Sequence, residues 1–296
     1  MRILITGSTG LVGSALVRDL SGAGHAVLRL VRTPPQAAGE VHWDAAAGRL
    51  DIAKLSAVDA VVHLAGESIA EGRWNAAKKA RIRDSRVIGT RFLAESLAQL
   101  PQRPKVMVCA SAVGYYGDRG EEVLREDSAP GQGFLAGVCR EWEAAADPAR
   151  AAGIRVVHLR TGVVFAKRGG ALAKMLPPFR FGLGGPMGSG TQYMSWIAID
   201  DLIAVLRCAV EDANYAGAIN AVAPEAVTSA QFARVLGKVL RRPAVLPAPA
   251  VAVRLLLGEM ADALLLASQR VEPARLAALG YRFAYPSLEG ALRHLV

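Results

Sequence analysis

The run Met1-Arg-Ile-Leu-Ile-Thr6, followed at once by Gly7-Ser-Thr-Gly10-Leu-Val-Gly13 and then Ser14-Ala-Leu-Val-Arg-Asp-Leu20, decides the fold. Its apolar stretch Ile3 to Ile5 reads as a strand buried in a parallel sheet. Three glycines spaced three apart permit a tight turn, a close approach of backbone to a pyrophosphate, and tight packing of the next helix on the sheet. That helix offers free N–H groups and the positive end of its dipole to phosphate. Such a pattern alone is weak. A strand before it and an amphipathic segment after it supply the context of a dinucleotide site. Gly7, Thr9, Gly10, Leu11, Val12 and Gly13 are therefore the candidate phosphate cradle.

A second strand is expected over His25 to Val31, and it runs into Arg32-Thr-Pro-Pro. At this strand end an Asp or Glu suits the free 2′-hydroxyl of NAD, whereas an Arg suits the 2′-phosphate of NADP. A carboxylate would repel that phosphate, and a guanidinium fork pairs with it. No acidic residue stands between Gly22 and Gly39, so the expected cofactor is NADP(H), with Arg32 as its 2′-phosphate partner and Thr33 as a weaker candidate.

Length and composition narrow the rest. A chain of 296 residues holds one large domain, or a nucleotide-binding domain with a smaller lobe, and 52% hydrophobic content supports a sizeable core. The longest apolar stretch, Val245 to Leu257, is interrupted by prolines and an Arg and is too short to span a bilayer, so no membrane association is expected. Met1 lies almost on the first strand, which leaves no room for a leader and points to a cytoplasmic protein. Cys109, Cys139 and Cys208 are too scattered for a disulfide framework, and neither they nor the five histidines show metal-ligand spacing. The net charge of +9 is dispersed; its densest stretch, Lys78-Lys79-Ala-Arg81-Ile-Arg83, reads as a solvated helix face, and no nucleic-acid partner is expected.

Alternating strands and helices continue along the chain. Val58 to Leu64, Lys105 to Ala110 and Arg155 to Leu159 read as strands; Asn75 to Gln99 and Gly137 to Ala152 read as helices. That alternation predicts an α/β fold with a doubly wound parallel sheet. From about Ala166 the pattern changes. Pro177 to Gly190 reads as a long Gly/Pro loop of the kind that is functional or mobile. Ser195 to Asp201 leads into a helix reaching about Glu211, with Asp200 and Asp201 read as N-cap residues rather than paired acid/base carboxylates. Thr228-Ser-Ala-Gln231 resembles a capping box, Pro243 to Pro249 a linker, and Val251 to the end a helical segment. The expected organisation is a Rossmann-like NADP(H)-binding core over 1–165, mixed segments over 166–245 that return to the core and build the substrate cleft, and a small helical C-terminal domain over 246–296.

The Gly-x-x-Gly-x-x-Gly spacing is typical of short-chain dehydrogenases/reductases. Further segments agree in order: Val61-Val-His-Leu-Ala-Gly66-Glu67, Arg73-Trp74 with Lys78, Asp84-Ser85-Arg86, and Ser111-Ala-Val-Gly-Tyr115-Tyr116-Gly117. Trp142-Glu143, Leu159-Arg-Thr-Gly162-Val163, Gly184 to Gly190, Ser195-Trp196-Ile197, Arg242-Pro243 and Gly258-Glu259 complete the set. Together they resemble the NAD(P)-dependent epimerase-like proteins of the extended short-chain dehydrogenase/reductase superfamily that carry a small C-terminal domain of unknown function. This resemblance implies a Rossmann-like domain, a dinucleotide in an open crevice and a C-terminal substrate lobe. It also implies cofactor contacts at Gly7–Gly13, Arg32, the Leu64-Ala65-Gly66 turn and the Thr161-Gly162-Val163 turn. Each turn follows an expected parallel strand, where open α/β sheets bind ligands.

Ordinary members of that superfamily use a Ser or Thr, a Tyr, and a Lys four residues after the Tyr. The Lys lowers the pKa of the tyrosine and holds the cofactor ribose. No Tyr-x-x-x-Lys occurs here. Counting back from Glu143 puts Leu135 where the Tyr would stand and Cys139 where the Lys would stand, and Ala112 rather than Ser111 falls at the Ser/Thr position. Cys139 reads either as a nucleophile or as a buried thiol in place of a lysine stem. Candidate acid/base residues are Ser111, Tyr115, Tyr116 and Glu67, each weighed against a structural role. Arg160 either reaches an anionic substrate or anchors a strand end, and Trp196 either stacks on substrate or belongs to the core. Two functions fit: an NADP(H)-dependent oxidoreductase or epimerase-like protein acting on an unidentified small molecule, and a catalytically silent NADP(H)-binding sensor or scaffold. Association into an oligomer is compatible with either.

Overall fold

Alternation along the strands divides the protein into layers. In a computed structural model describing residues 1–296, β1 (Arg2–Thr6) sends Ile3 and Ile5 into one apolar layer and Leu4 into the other. The same two-sided burial recurs in β2 (Ala26–Val31), β5 (Ala60–His63), β6 (Val106–Ala112) and β7 (Arg155–Thr161). Strands β3 (Glu40–Asp44) and β4 (Arg49–Leu50) extend one edge and β8 (Gly217–Ala221) the other. The order across the eight-stranded sheet is β8-β7-β6-β5-β1-β2-β3-β4, parallel except for the β3–β4 pair. The doubly wound α/β fold is therefore present. Strand order reverses at β1, between β5 and β2, and opens a crevice at the carboxyl ends there.

Helices α1 (Leu11–Gly22) and α6 (Ile199–Glu211) cover one face through Leu16, Leu20, Leu202 and Leu206. Helix α2 (Ala76–Ala98) covers the other through Leu93, Ala94 and Leu97. A third apolar cluster forms a separate lobe from α5 (Gly170–Arg180), α7 (Ser229–Leu240) and the last helix, Leu288–Leu295. Trp196 belongs to it, fully buried and stacked on Phe165 with centroids 5.6 Å apart.

Several expectations need correction. The helix expected over Gly137 to Ala152 is two helices, α3 (Phe134–Ala144) and α4 (Asp147–Ala151), and Pro148 at the start of the second breaks the run. Pro177 and Pro178 lie inside α5 rather than opening a loop; burial of Leu172, Leu176 and Phe179 outweighs the lost N–H groups. Asp200 and Asp201 do not cap α6, which starts at Ile199. Both stand in its first turn, and buried Asp201 accepts hydrogen bonds from the Ala284 and Tyr285 amides at 2.7 and 3.0 Å. The end of the chain is not continuously helical, since Arg270–Val271 forms a short strand against Val123–Leu124. The capping box at Thr228 and Gln231 is present.

Candidate dinucleotide site

The cradle follows from what a side chain would meet there. A Cβ on Gly7 would lie 2.8 Å from the Leu64 carbonyl, and one on Gly13 would lie 2.2 Å from the Gly7 carbonyl oxygen. Those two glycines are required by the protein's own packing. Gly10 is different: its Cβ would meet only Gly7 O, at 3.4 Å. Bareness at Gly10 instead clears the surface at the N-cap of α1, where no side chain caps the helix and no acidic residue stands in the first turn. The amides of Leu11, Val12 and Gly13 make no backbone hydrogen bond, and the ladder starts at Ser14 N to Gly10 O. These are the donors a pyrophosphate needs, so the residues present fit a dinucleotide. Thr9 lies exposed on the same loop.

Arg32 stands exposed just beyond the carboxyl end of β2, and its guanidinium makes no hydrogen bond or ion pair. A carboxylate stands at the start of β3, opposite Arg29 of β2. Glu40, however, is committed to Arg29 at 2.8 Å and to the Gln36 amide at 2.7 Å. The cation at this strand end is thus left available.

The Leu64-Ala65-Gly66 turn is held by a buried polar chain. Thr6 Oγ1 accepts from the amides of Leu64 and Ala65, both at 3.1 Å, and lies 2.8 Å from His63 Nδ1. With its lone pairs occupied, the Thr6 hydroxyl donates to Nδ1, so the proton of His63 sits on Nε2, 2.9 Å from Thr90 Oγ1. Trp142 Nε1 donates to the same Thr90 oxygen at 2.9 Å. Burial keeps His63 neutral, its pKa pushed down to about 4. The sequence reading missed Thr6, His63 and Thr90; a lone histidine closing an apolar strand was the available signal.

Beyond the turn lies a cavity of about 260 Å³, lined by Val12, Leu64, Ser111, Ala112, Thr161 and Gly162 among others. The structure therefore brings together the ends of β5, β6 and β7. Val163 pairs with the 196–198 strand instead of lining this cavity.

Among the acid/base candidates, Ser111 is 4% exposed and donates to Glu143 Oε1 at 2.7 Å. Glu143 also takes a bidentate pair from Arg160, at 2.9 Å from both Nε and Nη2, which holds its carboxyl below the usual range despite burial. Arg160 thus anchors the strand end. Its guanidinium stacks 3.5 Å from the Tyr115 ring centroid and donates to Tyr116 Oη at 3.0 Å. Tyr116 is fully buried, donates to Asn220 Oδ1 at 2.7 Å, and has its pKa pushed up to about 12 by burial. Of the two roles weighed for Tyr116 the structure displays the structural one: both ends of its hydroxyl are occupied inside the protein. Tyr115 is half-buried with its hydroxyl unpartnered. Glu67 is bound by Lys78 at 2.7 Å, which with Arg81 keeps it ionised. Cys139 is buried, and its thiol is pushed up to about 12, so it is no nucleophile near neutral pH.

Residues 3–221 match the NAD dependent epimerase/dehydratase family, and residues 248–295 match a domain of unknown function, DUF1731. The chain belongs to the NAD-dependent epimerase/dehydratase family. Within this family it is 43% identical over 290 residues to epimerase family protein Mb2239 of Mycobacterium bovis, spanning 98% of this chain and 96% of that one. It is 40% identical over 301 residues to human epimerase family protein SDR39U1, covering all of both. Crystals of the human protein (isoform 2) with NADPH superpose with a TM-score of 0.90 at 38% identity, over 100% and 99% of the two chains. A nucleoside-diphosphate sugar epimerase from Corynebacterium glutamicum gives 0.81 at 42% identity, with this chain covering 58% of it. No helix of the epimerase-family chain is long and apolar enough to cross a membrane.

Proposed function

We propose that the protein binds NADP(H) and acts as an oxidoreductase or epimerase-like enzyme on a small molecule. The observation that carries this reading is the pairing of an uncapped, acid-free α1 terminus with an unpaired Arg32 at the end of β2. Leu11, Val12 and Gly13 amides would receive the pyrophosphate, and Arg32 the 2′-phosphate. The Leu64–Gly66 turn and Thr161-Gly162 would contact the rest of the dinucleotide. NADPH in the crystals of the human relative supports the same choice. When bound, the cofactor supplies hydride chemistry.

With Tyr116, Glu67 and Cys139 tied up, Tyr115 is the tyrosine whose hydroxyl remains free to exchange a proton, and Ser111 lines the cavity with its own proton directed at Glu143. A specific observation favours the second reading, a silent NADP(H)-binding sensor or scaffold: the hydroxyls of Ser111 and Tyr116 are satisfied internally. Fluorescence titration separates the cofactor claim from the rest. NADPH should bind about 10- to 100-fold more tightly than NADH, and Arg32→Ala should abolish that preference. Equal affinities in the wild type would sink it. Stopped-flow oxidation of bound NADPH against a carbonyl panel then tests turnover, and a Tyr115→Phe protein that turns over normally would remove Tyr115.

A further inference from the structure

Helix α8 (Ala250–Leu257), at the start of the DUF1731 segment, reads Ala-Val-Ala-Val-Arg-Leu-Leu-Leu. A helix apolar on nearly every side belongs inside a protein. Here Val253 is its one buried residue. Val251 and Leu255, on the side of the helix away from Val253, are 66% and 73% exposed, and Leu256 is 74% exposed. The chain leading into α8 has the same character. Val245 and Leu246 are exposed, and the Leu246 amide donates to Gly184 O at 3.1 Å, which sets them beside exposed Leu183 and Phe181. A second rung, Ala248 N to Pro186 O at 2.9 Å, ties the start of α8 to the same loop. Seven large apolar side chains, each half exposed or more, amount to roughly 800 Å² of apolar surface, above the roughly 300–600 Å² of the largest patch on an ordinary monomer.

The edge of this surface is cationic. Phe181 and Pro243 wall a cleft of about 460 Å³ together with the guanidinium groups of Arg180 and Arg242. Arg180, Arg241 and Arg242 are all exposed, and their side chains make no hydrogen bond or ion pair. Carboxylates just past the other end of α8 are already neutralised, Glu259 by Lys79 at 2.7 Å and Asp262 by Arg254 at 2.9 Å. A second copy of the chain, meeting this face with the same face, would bring the same three unpaired arginines to it. An anionic bilayer suits both parts of the surface. Its acyl boundary takes up leucine and phenylalanine side chains, and its phosphate headgroups pair with guanidinium groups.

We propose that α8, with the Phe181–Leu183 and Val245–Leu246 edge, docks the protein on an anionic lipid bilayer. Lying on a bilayer needs no spanning helix, so the expectation of no membrane association, which rested on spanning length, does not reach this mode of binding. The inference is independent of the NADP(H) reading.

Co-sedimentation of the full chain with large unilamellar vesicles tests it, comparing phosphatidylcholine alone with a mixture containing roughly a third phosphatidylglycerol. The anionic vesicles should bind about tenfold or more tightly, and raised salt should weaken them severalfold. Replacing two exposed leucines together, Leu255→Gln with Leu256→Gln, keeps every charge and a good helix former at each position. It should weaken binding about tenfold, which the net charge of +9 acting alone would not allow. Arg180→Gln with Arg242→Gln should remove about tenfold of the preference for anionic vesicles. No sedimentation with either vesicle, equal sedimentation with both, or wild-type behaviour in either double variant overturns the proposal. So does a dimer, found by analytical ultracentrifugation without lipid, that the leucine variant dissolves, because the face then belongs to a second copy. If the leucine variant does not fold, Phe181→Gln should weaken binding severalfold, and unchanged binding overturns the proposal.

Discussion

The two ends of the crevice handle their polar groups in opposite ways. At the β1–β2 end the protein leaves donors open: three amides at the start of α1 and the guanidinium of Arg32 have no partner. At the β6–β7 end it closes them on one another, with Ser111, Glu143, Arg160, Tyr116 and Asn220 linked in one continuous chain. Unsatisfied groups cost stability, so an open set at a helix terminus marks a place made for a ligand. A closed set marks a place made for rigidity. The open end thus keeps what a dinucleotide needs, while at the closed end Tyr115, stacked on Arg160, keeps its hydroxyl unpartnered.

The comparison breaks most sharply at Gly13. A Cβ there would sit 2.2 Å from the Gly7 carbonyl oxygen, a clash between backbones that no rotamer relieves. Gly13→Ala should cost about 4 kcal/mol or more of stability, read by urea unfolding, and take NADPH binding with it. A variant as stable as the wild type would mean the cradle is not packed as described. Next comes Glu143→Ala at the closed end. Removing the carboxylate strands Arg160, which is 5% exposed, and frees Ser111; the expected loss is about 3 kcal/mol. NADPH affinity should change little, because the damage lies away from the cradle. A marginal loss in stability would show that the chain of hydrogen bonds carries less than its geometry suggests.

Acid sharpens the contrast between scaffold and site. Burial holds His63 and His158 down at about 4 from an ordinary 6.5. Unfolding between those values takes up protons, so the contribution of both residues is complete above about pH 6.5 and drains away as pH falls toward 4. Each accounts for about 3 kcal/mol at most, and solvent relaxation reduces that. His63→Gln should flatten the dependence of unfolding free energy on pH over this window. An unchanged slope would show that burial does not hold His63 neutral.

Sequence legibility follows the same division. Four features set by backbone pattern are readable: the Ile3 to Ile5 strand, the three glycines, Arg32 after β2, and the capping box at Thr228. Strand β8 was not, since Gly-Ala-Ile-Asn-Ala has little strand preference and is held by pairing with β7. Strand β3 did carry a signal, Val41 and Trp43 alternating with polar neighbours, which a search for longer apolar runs passes over. Tyr115 and Tyr116 show the limit best. Adjacent in sequence, one has a free hydroxyl and the other is sealed between Arg160 and Asn220, a difference made entirely by residues more than forty positions away.

Gly10 provides the finest cut between packing and ligand. Unlike Gly7 and Gly13 it touches nothing that a methyl group would displace, and its backbone, at φ −74° and ψ 174°, suits any residue. Gly10→Ala should therefore leave unfolding free energy within about 1 kcal/mol, the small change expected at an N-cap. The methyl group would nevertheless project beside the open amides of Leu11 to Gly13 and crowd the nearest phosphate oxygens. An affinity loss for NADPH of about tenfold is expected, shared by NADH because both carry the same pyrophosphate. If affinity survives while stability falls, Gly10 serves the fold as its two neighbours do, and the open end of the crevice loses its clearest sign of having been shaped around a ligand.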